Sequence, residues 1–335
     1  MKRKTLSIIM TNYNYAHYIE EALGAILCQS YRPLEVIVVD DASTDNSVEI
    51  IKGFMKRYSN IHLICNDTNM GGLCSFKKGL DVAVGDYIYT AGSDDKVLPG
   101  FFEKSMDILE KYPQAGLCCA GTHIISGKGI SEGEVQPGFS NVPSYFSPAE
   151  AVKLVMSEAF TPILPHTAIL KRSTFDEAGG YREDLKWTCD TFVHHVIIFR
   201  HGFCYVPEVL ATVRFHSEQY GLTKAVNPSL ERELIETQIE AIKAPEYSDV
   251  LPMFKRTARF SIFPWQVFRV VVSRRGNWDF LSFRLLQLAL YDLLIRNVVR
   301  KILPRPLRVL ARRYINGFRR MKHVISGRFK GGRPS

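Results

Sequence analysis

No stretch of the 335-residue chain reaches the 18 to 20 apolar residues, free of Arg or Asp, that a spanning helix needs. A transmembrane helix is therefore not expected. The seven cysteines are odd in number and form no Cys-x-x-Cys pair, which argues against a disulfide framework or a zinc site and for reduced thiols in a cytosolic setting. The basic start "MKRKTLSIIMTNYN" offers only Leu6 to Met10, interrupted by Ser7, too short a run for a secretory segment. No glycine-rich, lysine-bearing phosphate loop follows the first apolar run, where "TNYNYAHY" stands instead, and this disfavours a nucleotidyltransferase. Internal repeats are absent as well.

Acidic residues are scarce at one end. Residues 251–335 hold 20 Lys and Arg against 2 Asp and Glu, while residues 1–250 hold 23 against 32. The net +9 thus hides a −9 body and a +18 tail, and such a tail seeks an anionic surface. Nucleic acid would answer to the same charge, but the tail has no reading motif or stacking platform.

What is present is ordinary globular composition, 46% hydrophobic and 23% charged, arranged as strand and helix in alternation. "TLSIIMTN", "EVIVVDD", "IHLICN", "DYIYT" and "AGLCCAG" read as buried strands. Between them "HYIEEALGAILCQS", "SVEIIKGFMKRY", "CSFKKGLDVAV" and "GFFEKSMDILEKY" carry helical spacing. Ser43, Thr44 and Asp45 supply N-cap side chains for the second of these helices. The alternation predicts a doubly wound, mainly parallel α/β sheet, whose ligands bind beyond the carboxyl ends of the strands. Residues 121–148, rich in Gly, Ser and Pro, are expected to be a long loop or insertion. After them come a helix near 149–160, a strand and short helix over 166–184, a helix from Asp190 to His201, and a strand over 204–216.

Beyond about residue 250, Arg284, Asp292, Arg296 and Arg300 mark a polar stripe on an apolar helix. Leu307, Leu310, Tyr314, Phe318, Met321 and Ile325 form an apolar stripe on a basic one. A basic amphipathic helix at an anionic leaflet explains both charge and apolar content; a soluble helical cap on the body is the alternative.

The strand ends carry the chemistry. Thr11 and Tyr13 ("TNYN"), Asp40 and Asp41 ("DDAS"), Asn69 ("NMGG"), and Asp94 and Asp95 ("SDD") would share one rim, a set suited to a nucleoside diphosphate. Each also has a plain structural reading: Asp40-Asp41 as an Asx-turn and cap, Tyr13 as a rim aromatic, Asn69 with Gly71 and Gly72 as a tight turn. His194-His195 and Cys118-Cys119 are read as packing or surface residues, while His166 and Trp187 stand either beside the acceptor or in structural roles.

In their order and spacing "SIIMTNYN", "VIVVDDASTD", "NMGG", "GDYIYTAGSDD" and "GGYREDLKWTCD" resemble the family 2 glycosyltransferases over about residues 5–220. The resemblance implies a GT-A nucleotide-sugar-binding and catalytic domain over 1–225, with a donor half to about 120 and an acceptor half over 121–225. A helical, basic, membrane-associating region over 226–335 would follow. It further implies that Thr11, Tyr13, Asp41 and Asn69 bind the donor's nucleoside, and that Asp94 and Asp95 hold Mg²⁺ or Mn²⁺ and the ribose. Arg214 and His216 of "VRFHS" would stand near diphosphate or metal. The general base would be Asp190, with Cys189 where the family usually has Glu; Asp184 of the literal Glu-Asp pair is the second candidate. In the metal motif Gly92 takes the place of the first carboxylate of Asp-x-Asp.

The expected activity is inverting transfer from a UDP-, dTDP- or GDP-sugar to a saccharide or polyprenyl-linked acceptor, in the cytoplasm on the inner face of the membrane. The rival is an inactive nucleotide-sugar-binding scaffold.

Overall fold

The computed structural model describes residues 3–157, 162–216, 228–261 and 264–302. They divide into two compact units, 1–153 with 161–228 and 154–160 with 229–335.

In the first unit β1 (Leu6–Asn12) and β2 (Glu35–Asp40) bury nearly every residue, the pattern of parallel strands covered on both faces. β3 (Ile61–Cys65) lies outside β2 and β4 (Tyr87–Gly92) outside β1, and all three contacts are parallel. Their carboxyl ends therefore share one edge. Helices α1 (Ala16–Leu27), α2 (Ser47–Met55) and α3 (Gly72–Val82) connect them; α1 buries Ile19, Ala22, Leu23, Ile26 and Leu27, the set its spacing predicts. Because the chain winds β1 to β3 in one direction and then returns to place β4 on the other side, a crevice opens at the ends of β1 and β4.

The remaining strands complete a mixed sheet of order β3-β2-β1-β4-β9-β6-β10-β5. Here β5 is Lys96–Val97, β6 Leu117–Ser126, β9 Ala168–Lys171 and β10 Phe203–Phe215. Strand β9 runs antiparallel to both β4 and β6, while β6 and β10 are parallel. Helices α4 (Phe101–Lys111), α5 (Pro148–Met156), α6 (Arg172–Glu177) and α7 (Cys189–His201) lie between these strands in sequence.

The loop expected over 121–148 is largely strand. β6 runs on to Ser126, β7 (Ser131–Val135) folds back against it, and β8 (Ser144–Phe146) pairs with β10. Four of the five β7 residues are exposed, so main-chain pairing with β6, helped by the His123–Ser131 side-chain bond, builds that strand and no apolar alternation announces it.

The second unit is helical in its described part: α8 (Pro228–Ile242), α9 (Leu251–Thr257), α10 (Pro264–Ser273) and α11 (Phe283–Ile302). Leu234, Ile239, Phe254, Val267, Phe280 and Leu285 are buried in it. Helix α11 carries the polar stripe at Arg284 and Asp292 on an inward side. The Arg284 guanidinium donates to the Met156 carbonyl at 2.8 Å, and the Asp292 carboxylate accepts from the Trp265 N–H at 3.3 Å. Its polar stripe thus faces protein. Phe283, Leu286, Leu290, Tyr291 and Leu294 face outward, Phe283 being 85% exposed. The basic helix expected over 307–325 lies outside the described residues, as do the side chains of Arg296 and Arg300. No helix among the described residues is long and apolar enough to cross a membrane.

Candidate active site

At the end of β1, Thr11 is half-buried and Tyr13 is 44% exposed, its ring free to meet a planar ligand. Between them Asn12 is buried and donates from Nδ2 to Asp40 Oδ2 at 2.8 Å. The other Asp40 oxygen accepts the Ser43 N–H at 2.9 Å, closing an Asx-turn. Asn14 (φ 57°) and Ala42 (φ 62°) hold left-handed backbone on the two rim loops, conformations that a non-glycine residue keeps only where the surroundings fix them. The loops are joined by Asn14 Oδ1, which accepts the Thr44 N–H at 2.8 Å, and by Asp45, which accepts the Ala16 N–H at 2.8 Å.

The Asp41 carboxylate is turned inward. It accepts the Asn66 Nδ2–H at 2.8 Å, the Met70 N–H at 2.8 Å and the Gly71 N–H at 2.7 Å. Burial alone would raise this carboxyl, but the donors outweigh it and hold it below the usual range. Asp41 thereby fixes the loop on which Asn69 is exposed. Gly71 closes that loop at φ 88°, where a side chain would be strained.

Beyond β4, Asp94 and Asp95 both lean toward Gly92. A Cβ on that glycine would lie 2.9 Å from Asp94 Oδ1 and 3.1 Å from Asp95 Oδ2. The absent side chain leaves the two carboxylates a common space. Burial, together with the Asp94 charge, pushes the Asp95 carboxyl well above its ordinary range against the pull of Arg214. Strand β10, through its short antiparallel pairing with β5, brings Arg214 and His216 to this place. The Arg214 N–H donates to Asp95 Oδ1 at 2.8 Å, its Nε–H to the Asp94 carbonyl at 2.9 Å, and Nη2 to Glu21 Oε2 at 2.7 Å. With those bonds made, the Arg214 side chain, 6% exposed, ties the Asp94 main chain to Glu21, while its backbone N–H holds the Asp95 carboxylate. His216 Nε2 stands 3.0 Å from Asp94 Oδ2, with the rings of Tyr15 and Tyr18 beside it.

Of the two candidate bases, Asp184 lies in an exposed turn, clamped by Arg182 at 2.8 Å, and that bond lowers its carboxyl. Asp190 sits in the first turn of α7 and accepts the Thr191 N–H at 2.5 Å. Burial raises its carboxyl, against the pull of His194 and Thr191, so Asp190 binds a proton more readily than an ordinary aspartate. The backbone just before α7 is held in an unusual form at Lys186 (φ 49°, ψ −129°).

Sequence reasoning missed Glu21 and Asn66. Both act through side chains distant in sequence, Glu21 being 193 positions from Arg214, and no local pattern marks them.

Residues 7–175 match the model of the glycosyl transferase family 2. EpsE of Bacillus subtilis (strain 168), which carries a provisional glycosyltransferase name, is 32% identical over 178 residues, 53% of this chain and 60% of that protein. An uncharacterized glycosyltransferase of Haemophilus influenzae is 28% identical over 226 residues, 64% of this chain and 66% of its own length. The chain thus spans less than two thirds of these relatives. Among solved structures, S. aureus TarS 1-349 in complex with UDP-GlcNAc superposes with a TM-score of 0.62 at 16% identity, over 89% of this chain and 82% of that one. The mannosyltransferase PcManGT from Pyrobaculum calidifontis, in complex with GDP-Man and Mn²⁺, gives 0.57 at 18% identity over 92% and 84%. At such identities the likeness is one of fold.

Proposed function

Because this chain belongs to glycosyl transferase family 2 and has the mainly parallel α/β architecture of the GT-A fold, we propose that it moves a sugar from a nucleoside-diphosphate sugar to an acceptor hydroxyl. The observation that carries this reading is the pair of carboxylates sharing the space at Gly92, at the crevice where a doubly wound sheet binds ligands. Thr11, Tyr13 and Asn69 would meet the nucleoside of a UDP-, dTDP- or GDP-sugar. Asp41 supports them by holding the Asn69 loop.

The donor set fits a hard divalent cation. The two carboxylates at Gly92 are hard oxygen ligands of the kind Mg²⁺ or Mn²⁺ takes, and since no group of three or more His, Cys, Asp or Glu among the described residues is arranged to hold a metal by itself, the remaining ligands would come from the donor. Asp94 and Asp95, with His216 beside them, would hold an ion that draws its other ligands from the donor's diphosphate. Bound there, it would neutralise the charge that gathers on the leaving group. Asp190, raised by burial, takes the proton of the attacking hydroxyl. A single in-line displacement inverts the anomeric centre. Arg214 and Glu21 keep the two carboxylates in register through the turnover.

The acceptor in this reading is a saccharide or polyprenyl-linked saccharide on the inner face of the membrane. Support comes from the outward apolar face of α11 and from the basic excess over 251–335. Incubation with a panel of UDP-, dTDP- and GDP-sugars, with Mn²⁺ and with chelator, tests the function. Nucleoside diphosphate should be released from one class of donor and only with metal; no release from any donor would favour a scaffold.

A further inference from the structure

The diphosphate of a sugar nucleotide gathers negative charge as it leaves, and a metal held by two carboxylates offsets only part of it. Arg214, which borders both carboxylates, is already committed. Its Nε–H is on the Asp94 carbonyl, its Nη2 on Glu21, and its Cζ lies 4.4 Å from the centroid of the Tyr18 ring. Lys96 is held by Glu21 as well. A free cation for the phosphates has to come from elsewhere on the rim.

The hairpin between β6 and β7 carries one. Strand β9 is antiparallel to both β4 and β6, so β6 ends at the same edge of the sheet as β4, and β10, parallel to β6, ends there too. The turn that follows β6, Ser126-Gly127-Lys128-Gly129, is closed by the Gly129 N–H donating to the Ser126 carbonyl at 2.9 Å, with Gly129 at φ 77°. This turn lies against the site. The Tyr18 hydroxyl donates to the Gly127 carbonyl at 3.1 Å, and a Cβ on Gly127 would stand 3.2 Å from the His216 Cβ. A Cβ on Gly129 would stand 3.9 Å from Arg214 Nη1. His216 in turn reaches Asp94 Oδ2 at 3.0 Å.

Lys128 is the residue between those two glycines, about 3.8 Å along the chain from each Cα. It is exposed, and among the described residues it has no ion pair. The close approach of Gly127 and Gly129 thus brings a lysine with an uncommitted charge to the edge of the carboxylate pair. Its flexible stem and three donors suit a phosphate, which lysine binds as a point charge.

We infer that Lys128 is a further catalytic residue, its ammonium binding the β-phosphate of the sugar nucleotide and stabilising the diphosphate as it departs. The inference rests on the site being one for a sugar nucleotide and adds the protein cation that meets its leaving group. As the bond from the anomeric carbon to the β-phosphate oxygen breaks, the electron pair stays on that oxygen. The ammonium donates a hydrogen bond to the phosphate and keeps its proton throughout.

Lys128→Gln removes the charge and Lys128→Arg keeps it. Both proteins and the wild type are titrated by calorimetry, in the presence of Mn²⁺, with UDP, dTDP and GDP and with the matching monophosphates. For the base that the wild type binds, Lys128→Gln should lose about tenfold in affinity for the diphosphate, as expected of one charged hydrogen bond, and keep its affinity for the monophosphate. Lys128→Arg should retain most of the diphosphate affinity, and the gap between wild type and Lys128→Gln should narrow as salt is raised. With the donor that the wild type cleaves, kcat/KM of Lys128→Gln should fall by at least the same factor, because charge on the phosphate peaks as the bond breaks. Since the turn is exposed, the melting temperatures should coincide. Wild-type diphosphate affinity or kcat/KM in Lys128→Gln, an equal loss for diphosphate and monophosphate, or an arginine variant as weak as the glutamine one overturns the inference. A wild type that binds none of the three diphosphates would sink the sugar-nucleotide reading itself, and the inference with it.

Discussion

Arg214 holds both residues of the Asp94–Asp95 pair, its Nε–H donating to the Asp94 main-chain carbonyl at 2.9 Å and its backbone N–H to the Asp95 carboxylate Oδ1 at 2.8 Å. One residue of β10 thus sets the spacing of two groups it follows by about 120 positions. Arg214→Met removes the side-chain half of the grip and leaves Glu21 Oε2 without its partner. Loss of a charged hydrogen bond costs about 1.5–3 kcal/mol. Urea unfolding should show a loss in that range, and the metal concentration for half-maximal turnover should rise about tenfold.

Gly92→Ala tests the shared space directly. The new Cβ would lie 2.9 Å from Asp94 Oδ1 and 3.1 Å from Asp95 Oδ2, so the carboxylates must part while the strand remains. Titration of turnover with Mn²⁺ should show weaker metal activation with an unchanged melting temperature. Equal Mn²⁺ dependence would mean that this space holds no ion.

Asp41 gives a pH signature. Its folded carboxyl is held below the ordinary range by Asn66, Met70 and Gly71 against the upward push of burial. A depressed pKa contributes stability that is present above the unfolded value, about 3.9, and lost as pH falls through the folded one. Protection of the Met70 and Gly71 amides against hydrogen exchange, relative to the intrinsic rate at each pH, should therefore be high near neutrality and fall below about pH 4. In Asp41→Asn the protection should be low at every pH.

The outward face of α11 predicts a surface partner. Leu286, Leu290 and Leu294 replaced by Gln leave the buried side, Leu285, Leu288 and Ala289, untouched. Cosedimentation with phosphatidylglycerol vesicles should drop severalfold while the helical circular dichroism is kept, because apolar insertion and charge act together. Full retention on vesicles would place the membrane contact elsewhere or nowhere.

The central sheet was legible because β1 and β2 are buried on both faces, so their apolar runs are nearly unbroken. β7 was not, since an exposed edge strand held by backbone pairing has no side-chain signature. The polar stripe of α11 could be read at Arg284 and Asp292, but not the direction it faces, which depends on the Met156 carbonyl and the Trp265 N–H. At the site, the residue types at the strand ends pointed to one rim. Division of labour among them was hidden: Asp41 turns inward, and Arg214 meets Glu21 only in the folded chain. His194, read as packing beside His195, carries a buried unpartnered nitrogen that only the tertiary structure discloses.

The most direct measurement of the account is the turnover of Asp190→Asn with the donor that wild type cleaves, alongside nucleotide binding by calorimetry. A general base contributes about 10²–10⁴-fold, so nucleoside diphosphate release should fall by that order while the affinity for nucleotide and Mn²⁺ stays at the wild-type value. Release at the wild-type rate would contradict the account.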